Sequence, residues 1–121
     1  MEIKKGYTAK ARFLRIAPSK VRPLADLVRH KRYTDILPVL ENLPHKGARL
    51  LKKVIQSAAA NALYNNDKLD EDMIIIKDLQ VNDAPRMKRM WIRARGRADK
   101  LLKRLCHISV VLDEIEVTGE K

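Results

Sequence analysis

The sequence has little cysteine, few aromatic residues and little glycine. Its single cysteine, Cys106, excludes an internal disulfide, and no apolar signal core is seen near the N-terminus, so we expect a reducing, cytosolic setting. Aromatic residues make up 4% of the 121 residues, which predicts an aliphatic core. The four glycines lie far apart, which excludes a glycine-rich phosphate loop. No apolar run approaches the roughly 20 residues needed to span a bilayer, so we expect a soluble chain without a membrane partner.

Residues that could hold a metal or perform catalysis are also scarce. The three histidines are scattered, and the adjacent pair Cys106-His107 lacks the spacing that zinc ligation on a turn usually requires. The acids at positions 67–72 lack the glycine and closing glutamate of a calcium loop. The sequence therefore predicts no metal, no cofactor and no enzymatic activity.

Positive charge is abundant and concentrated. The chain has 26 lysines and arginines against 15 acids, a net charge of +11, and a pI near 10.0. Residues 86–104 contain nine of the cations and a single acid, Asp99. Desolvating each unpaired cation would cost several kcal/mol or more, in order of magnitude, so this segment cannot form a core. It must lie in water or against a polyanion.

The composition of this basic segment favours nucleic acid over a merely solvated surface. Six of its nine cations are arginines, whose planar fork makes paired hydrogen bonds to phosphate and stacks on bases. Met90, Trp91 and Ile92 lie among these charges with no apolar sequence nearby, so we expect them to contact a partner rather than a core.

Periodicity predicts one strand and three helices before the basic segment. Residues 7–13 alternate, which predicts a strand with Tyr7, Ala9, Ala11 and Phe13 on one side. A helix is expected after Pro18, with Ser19 as N-cap and a late start or a bend caused by Pro23. A second, short helix is expected from Thr34 to Leu43.

The third predicted helix is the longest and runs from His45 to a stop at residues 65–67. Its apolar stripe consists of Ala48, Leu51, Ile55, Ala58 and Ala62.

Alternating apolar residues predict further strands at residues 74–82 and 107–112, on either side of the basic segment. Residues 98–105 are ambiguous, because Ala98, Leu101, Leu102 and Leu105 also follow a helical spacing. No repeat or linker is visible, so residues 1–121 are expected to form a single domain that holds the basic segment between two strands.

Several sequence blocks resemble the bacterial type of the ribosomal protein L twenty-two family of the large subunit. They are Pro18 to Arg22 with Ala25 to Leu27, Ser57 to Ala62, Asn82 to Arg89, Arg93 to Asp99, Lys103-Arg104 and His107-Ile108. The resemblance covers nearly the whole chain and implies an α+β fold, in which a three-stranded antiparallel sheet packs on about three helices. It also implies a long basic β-hairpin at about residues 82–106, with residues 98–105 as strand. Many members have proline at the position of Ile92 and Thr-Ser at the position of Leu105-Cys106.

The same resemblance implies a cytoplasmic, structural constituent of the large ribosomal subunit. It would bind large-subunit ribosomal RNA, support assembly, contact neighbouring ribosomal proteins, and place a hairpin tip in the wall of the exit tunnel near the nascent peptide. The implied RNA-binding residues are Lys20, Arg22, Lys52, Lys53, Arg86, Lys88, Arg89, Arg93, Arg95, Arg97, Lys100, Lys103 and Arg104. The implied tip residues are Met87, Lys88, Arg89, Met90, Trp91 and Ile92.

Two other functions would also suit a basic chain. A DNA-binding helix-turn-helix could use the first two helices, but the second is dominated by apolar residues rather than side chains that read bases. An anionic-membrane binder needs cations on one face of an amphipathic helix, and residues 86–97 lack that periodicity.

Overall fold

A computed structural model describes residues 7–66 and 69–114. The helices and strands, in chain order, are β1 (Tyr7–Leu14), α1 (Pro18–Val28), α2 (Tyr33–Asn42), α3 (Lys46–Asn65), β2 (Ile74–Asp83), β3 (Met87–Ile92), β4 (Ala98–Lys103) and β5 (Cys106–Glu114). Short 3₁₀ turns occur at Glu71–Met73 and Ala94–Gly96. The expected α+β fold is confirmed. Asp67, one of the residues expected to stop α3, lies outside the described residues.

The strands form two separate antiparallel sheets. The first has the order β1-β5-β2, and the second is the β3–β4 hairpin. The hairpin continues the β2–β5 pair, because the Ala84 N–H donates to the Leu105 carbonyl at 3.1 Å just beyond the paired residues Asp83 and Cys106. The helices α1 and α3 pack on the three-stranded sheet, and α2 packs on α3. The hairpin therefore projects from one end of a layered α+β body.

The core lies between this sheet and α3. The stripe predicted for α3 is confirmed, since Ala48, Leu51, Ile55, Ala58 and Ala62 are all fully buried. On the sheet side of the core, alternate residues of β5 are fully buried; these are Cys106, Ile108, Val110 and Leu112. As expected from the shortage of aromatic residues, the buried side chains are almost all aliphatic.

Two one-residue bulges change which residues of the outer strands point inward. In β2 the register with β5 shifts between Ile76 and Asp78, so the buried positions change from even to odd numbers. In β1 it shifts between Ala11 and Leu14, and Leu14 takes the inward place expected for Phe13. The prediction that Phe13 continues the buried side of β1 is therefore wrong, because the extra residue turns its side chain out to solvent, where it is 53% exposed.

The beginning of α1 also differs from the prediction. The helix starts at Pro18, with Ala17 as N-cap and no side-chain capping bond, so Ser19 lies inside the helix and does not cap it. Pro18 is tolerated there because the first helical residue needs no N–H bond and the proline ring already has a helical φ. Pro23 lies within the helix without delaying its start.

Candidate nucleic-acid interface

The basic hairpin is a regular two-stranded ladder with a tight turn. Six residue pairs join β3 to β4, from Met87 opposite Lys103 at the base to Ile92 opposite Ala98 at the far end. The turn is closed by a hydrogen bond of 2.6 Å from the Arg93 N–H to the Arg97 carbonyl. Within it, Arg95 and Gly96 have φ values of 62° and 71°, the left-handed conformation that reverses the chain. Residues 93–97 are therefore the tip of the hairpin.

The residues expected at the tip lie in the strand that leads to it. Met87, Lys88 and Arg89 form the half of β3 nearest the body, where they pair with Lys103, Leu102 and Leu101. Met90, Trp91 and Ile92 form the half nearest the turn. The difference arises because the left-handed pair Arg95-Gly96, and not the apolar residues before it, supplies the conformation for reversal.

The ambiguous segment at residues 98–105 is a strand as far as Lys103. Leu101 and Leu102 are each 41% exposed, so the helical spacing of the apolar residues does not correspond to a buried stripe. Leu105 lies beyond β4 and is buried where the hairpin joins the body. The strand implied by the family resemblance is confirmed, because the ladder with β3 satisfies the backbone of this segment.

All nine cations of the hairpin are exposed to solvent. Arg93 pairs with Asp99 at 2.8 Å, and its guanidinium lies 5.7 Å from the centre of the Trp91 ring. Among the described residues, the other eight have no acid within ion-pair distance. The hairpin therefore presents about eight uncompensated positive charges, which is an arrangement suited to a polyanion.

The cross-strand pairing separates these charges from one another. Lys88, Arg89, Lys100 and Lys103 each lie opposite an apolar residue, and none of the six pairs joins two cations. Like charges directly opposite each other destabilise an antiparallel pair, so this register keeps repulsion low without any buried core.

The apolar residues near the turn are exposed, as predicted. Trp91 is 54%, Met90 66% and Ile92 84% exposed. Large apolar side chains displayed this openly are typical of a surface that meets a partner.

A basic cleft lies where the hairpin meets the body. It has a volume of about 340 Å³ and is lined by Arg15, Lys46, Met87, Arg89, Lys103, Arg104 and Leu105. A neighbouring recess adds Lys20 to the same group of cations. The Lys46 Nζ donates to the Arg15 carbonyl at 3.0 Å, which holds this lysine at the cleft. Cations from the β1–α1 link, α3 and the hairpin thus converge on one concave surface.

Arg15 and Lys46 are binding candidates that sequence reasoning missed. Each stands outside the basic segment, at positions 31 residues apart, and no local charge run marks either of them. Only the fold brings them beside Arg104, because the end of β1 and the start of α3 both lie near the base of the hairpin.

The four candidates from the body occupy different environments. Lys20 lines the cleft, and Lys53 is exposed on the side of α3 that carries Lys46. Arg22 donates to the Val81 carbonyl at 3.3 Å and lies 3.9 Å from Asp83 Oδ1, so it also secures the end of β2. Lys52 pairs with Glu41 at 3.0 Å and is only 28% exposed. The structure thus places Lys20 at the cleft, leaves Lys53 exposed on α3, and gives Arg22 and Lys52 partners within the body.

The geometry does not support the helix-turn-helix alternative. The helix α2 contains no lysine or arginine and buries Tyr33, Ile36 and Leu40, so it lacks the surface of a DNA-reading helix. In the described parts of the chain no helix is long and apolar enough to cross a membrane. No group of three or more histidine, cysteine or acidic residues that could hold a metal occurs at positions 7–66 or 69–114.

Comparison with known families agrees with this architecture. The model of the family described as "Ribosomal protein L22p/L17e" matches residues 9–113, which include all but the outermost residues of the sheet, the three helices and the hairpin. The chain belongs to this family. Membership makes it a structural, non-enzymatic protein, in agreement with the sequence prediction.

Individual relatives are similar over nearly their whole length. A protein of Treponema denticola named "Large ribosomal subunit protein uL22" is 52% identical over 109 residues, which cover 90% of this chain and 92% of the relative. The protein of the same name from Borreliella afzelii is 53% identical over 114 residues, covering 94% and 95%. One from Treponema pallidum is 50% identical over 108 residues, covering 89% and 87%.

The environment of Leu105 and Cys106 accounts for their apolar character. Both are buried where the hairpin joins the sheet, and Cys106 has no exposed surface. Burial raises the pKa of the Cys106 thiol from its ordinary value of 9.0. The junction between hairpin and sheet is therefore filled by two apolar side chains.

Proposed function

We propose that this protein is a cytoplasmic structural constituent of the large ribosomal subunit that binds large-subunit ribosomal RNA and supports its assembly. The observation that carries the proposal is a hairpin projecting from the body with nine exposed cations, of which only Arg93 is paired with an acid of the described residues. In water these cations repel one another, and RNA phosphates would remove that repulsion while releasing counterions.

Two surfaces share this binding. The hairpin cations Arg86, Lys88, Arg89, Arg93, Arg95, Arg97, Lys100, Lys103 and Arg104 neutralise phosphates of RNA strands on either side of the ladder. The basic cleft, with Arg15, Lys20 and Lys46, receives backbone that passes between hairpin and body. Such contacts read the shape and path of the RNA more than its base sequence.

The far end of the hairpin contributes to the wall of the peptide exit tunnel and lies near the nascent peptide. Met90, Trp91 and Ile92 cannot neutralise phosphate, so their exposure is better suited to stacking, to excluding water or to contact with a peptide. Neighbouring ribosomal proteins are the other expected partners.

Site-specific photo-cross-linking tests both the binding to ribosomal RNA and the position of the hairpin near the nascent peptide. A photoreactive phenylalanine analogue at Trp91, and another at Lys31 near the opposite end of β2, would be placed in chains assembled into large subunits. We expect cross-links from position 91 to ribosomal RNA and to a stalled nascent peptide, with Lys31 giving none to the peptide. A position 91 that links to neither would contradict the proposal.

Competition in solution separates this function from the two alternatives. The free protein would be offered large-subunit ribosomal RNA, duplex DNA of equal phosphate content and anionic vesicles. We expect preference for the RNA, whereas stronger binding to DNA or vesicles would refute it.

A further inference from the structure

Phe13 is held in an unfavourable conformation that displays its ring. It is the only phenylalanine of the chain and has a φ of 56°, in the left-handed region that bulky side chains rarely adopt. Its side chain is 53% exposed, although the neighbouring Ala11 and Leu14 turn toward the core. A residue that is both strained and exposed requires another explanation than packing, and such residues cluster at functional sites.

The surroundings of Phe13 over-determine this conformation. Its N–H, which the bulge removes from the ladder, donates to His107 Nδ1 at 3.0 Å. The rings of Phe13 and His107 meet edge to face, with centroids 4.8 Å apart and an angle of 89° between their planes. The Arg12 guanidinium lies 5.6 Å from the ring centre. The ring is therefore pre-oriented in the free protein.

The ring forms part of a groove at the foot of the hairpin. The groove has a volume of about 390 Å³ and is lined by Phe13, Arg15, Pro85, Arg86, Met87 and Leu105. Its apolar lining comes from one aromatic ring, one proline and two aliphatic side chains, and its two polar members are both arginines. It shares Arg15, Met87 and Leu105 with the basic cleft, so the two surfaces are continuous.

We propose that Phe13 is a stacking platform for an unpaired nucleobase of single-stranded RNA, with Arg15 and Arg86 binding the phosphates beside that base. The inference rests on the proposed RNA-binding function and adds a base-contacting site to it. An apolar groove with cations alone at its edge matches the two halves of a nucleotide, a flat ring and an anionic phosphate. Aromatic side chains bind splayed bases in this way, and they tolerate different bases because every base has a π-face.

Because the chain has a single phenylalanine, incorporation of 4-fluorophenylalanine gives one ¹⁹F resonance, and it reports on Phe13 alone. The probes are octaadenylate RNA and an abasic ribose-phosphate octamer with the same phosphates but no bases. We expect octaadenylate to shift the resonance through the ring current of the stacked base, and the abasic octamer to leave it nearly unchanged.

Affinities of variants for the two probes provide the second measurement. Phe13→Leu keeps an apolar side chain without a ring and should bind octaadenylate roughly 5- to 100-fold more weakly, the equivalent of one lost stacking contact. Its affinity for the abasic octamer should not change. Phe13→Trp should retain tight binding, and thermal unfolding of each variant verifies that it is folded. The double variant Arg15→Ala with Arg86→Ala should weaken the binding of both probes to the same extent.

The possible failures are distinguishable. If octaadenylate and the abasic octamer bind equally well, with no ¹⁹F shift and no effect of Phe13→Leu, phosphate binding stands and the stacking site is refuted. If neither octamer binds the wild-type chain and large-subunit RNA does not bind either, the proposed function itself fails.

Discussion

Neutralising three hairpin arginines should measurably reduce the salt dependence of RNA binding. Arg95, Arg97 and Arg104 are exposed, and each lacks an acid partner among the described residues. Eight of the nine hairpin cations are free in this sense, since Arg93 is paired with Asp99. If about half of these eight meet phosphate, log K against log salt should have a slope of roughly −3, at about 0.7 per single-strand contact. Replacing the three with alanine should make the slope shallower by up to about 2.

The assay is equilibrium binding of large-subunit ribosomal RNA at several potassium chloride concentrations. A matched control replaces Lys31, Arg32 and Lys77 with alanine. These cations lie near the end of β2 opposite the hairpin, and their replacement removes the same net charge as the hairpin variant. We expect the control to change the slope by well under 1. Equal effects of the two triple variants would refute a localised hairpin site, because net charge alone would then govern binding. An unchanged slope in the hairpin variant would refute phosphate contact by these arginines.

Three further predictions concern the free protein. Phe13→Gly should be about 1 kcal/mol more stable to urea than Phe13→Ala, because glycine alone accepts the positive φ without strain; equal midpoints would contradict this. Burial raises the pKa values of Cys106 and Tyr33, so the folded state favours their neutral forms. As the pH rises past about 9 these groups ionise more readily in the unfolded chain, so the free energy of unfolding should fall. Urea titrations at pH 8 and pH 10 would measure that loss, and equal stabilities would contradict it. Gly96→Ala meets no neighbouring atoms but strains the turn, because the backbone there has a φ of 71°. Amide exchange should therefore accelerate in the hairpin while the Tm of the protein stays unchanged, and a lowered Tm would show that hairpin and core unfold together.

The helical part of the fold could be predicted because its signal is local. Over the 20 residues of α3, the spacing of Ala48, Leu51 and Ile55 describes one face that needs only a sheet to cover it. The basic segment was equally clear, since charge density is a property of composition and does not depend on where the chain turns.

The strand details depended on partners that local sequence does not show. Alternation in β1 predicted an inward Phe13, but the bulge that turns it outward is defined by pairing with β5, which lies almost 100 residues along the chain. The spacing of Leu101 and Leu102 is compatible with a helix, and only their pairing with β3 shows that they belong to a strand. The cleft residues Arg15 and Lys46 meet only through tertiary structure.

The pairing of the two hairpin strands has a consequence for how the hairpin finds its alignment. A slip of one residue in one direction would put Lys88 opposite Lys103, and in the other direction it would put Arg89 opposite Lys100. Slips of two residues would oppose Arg89 to Lys103 or Lys88 to Lys100. Electrostatic repulsion therefore penalises every neighbouring alignment, and the charges that serve binding also select the register of strands that have no core to align them.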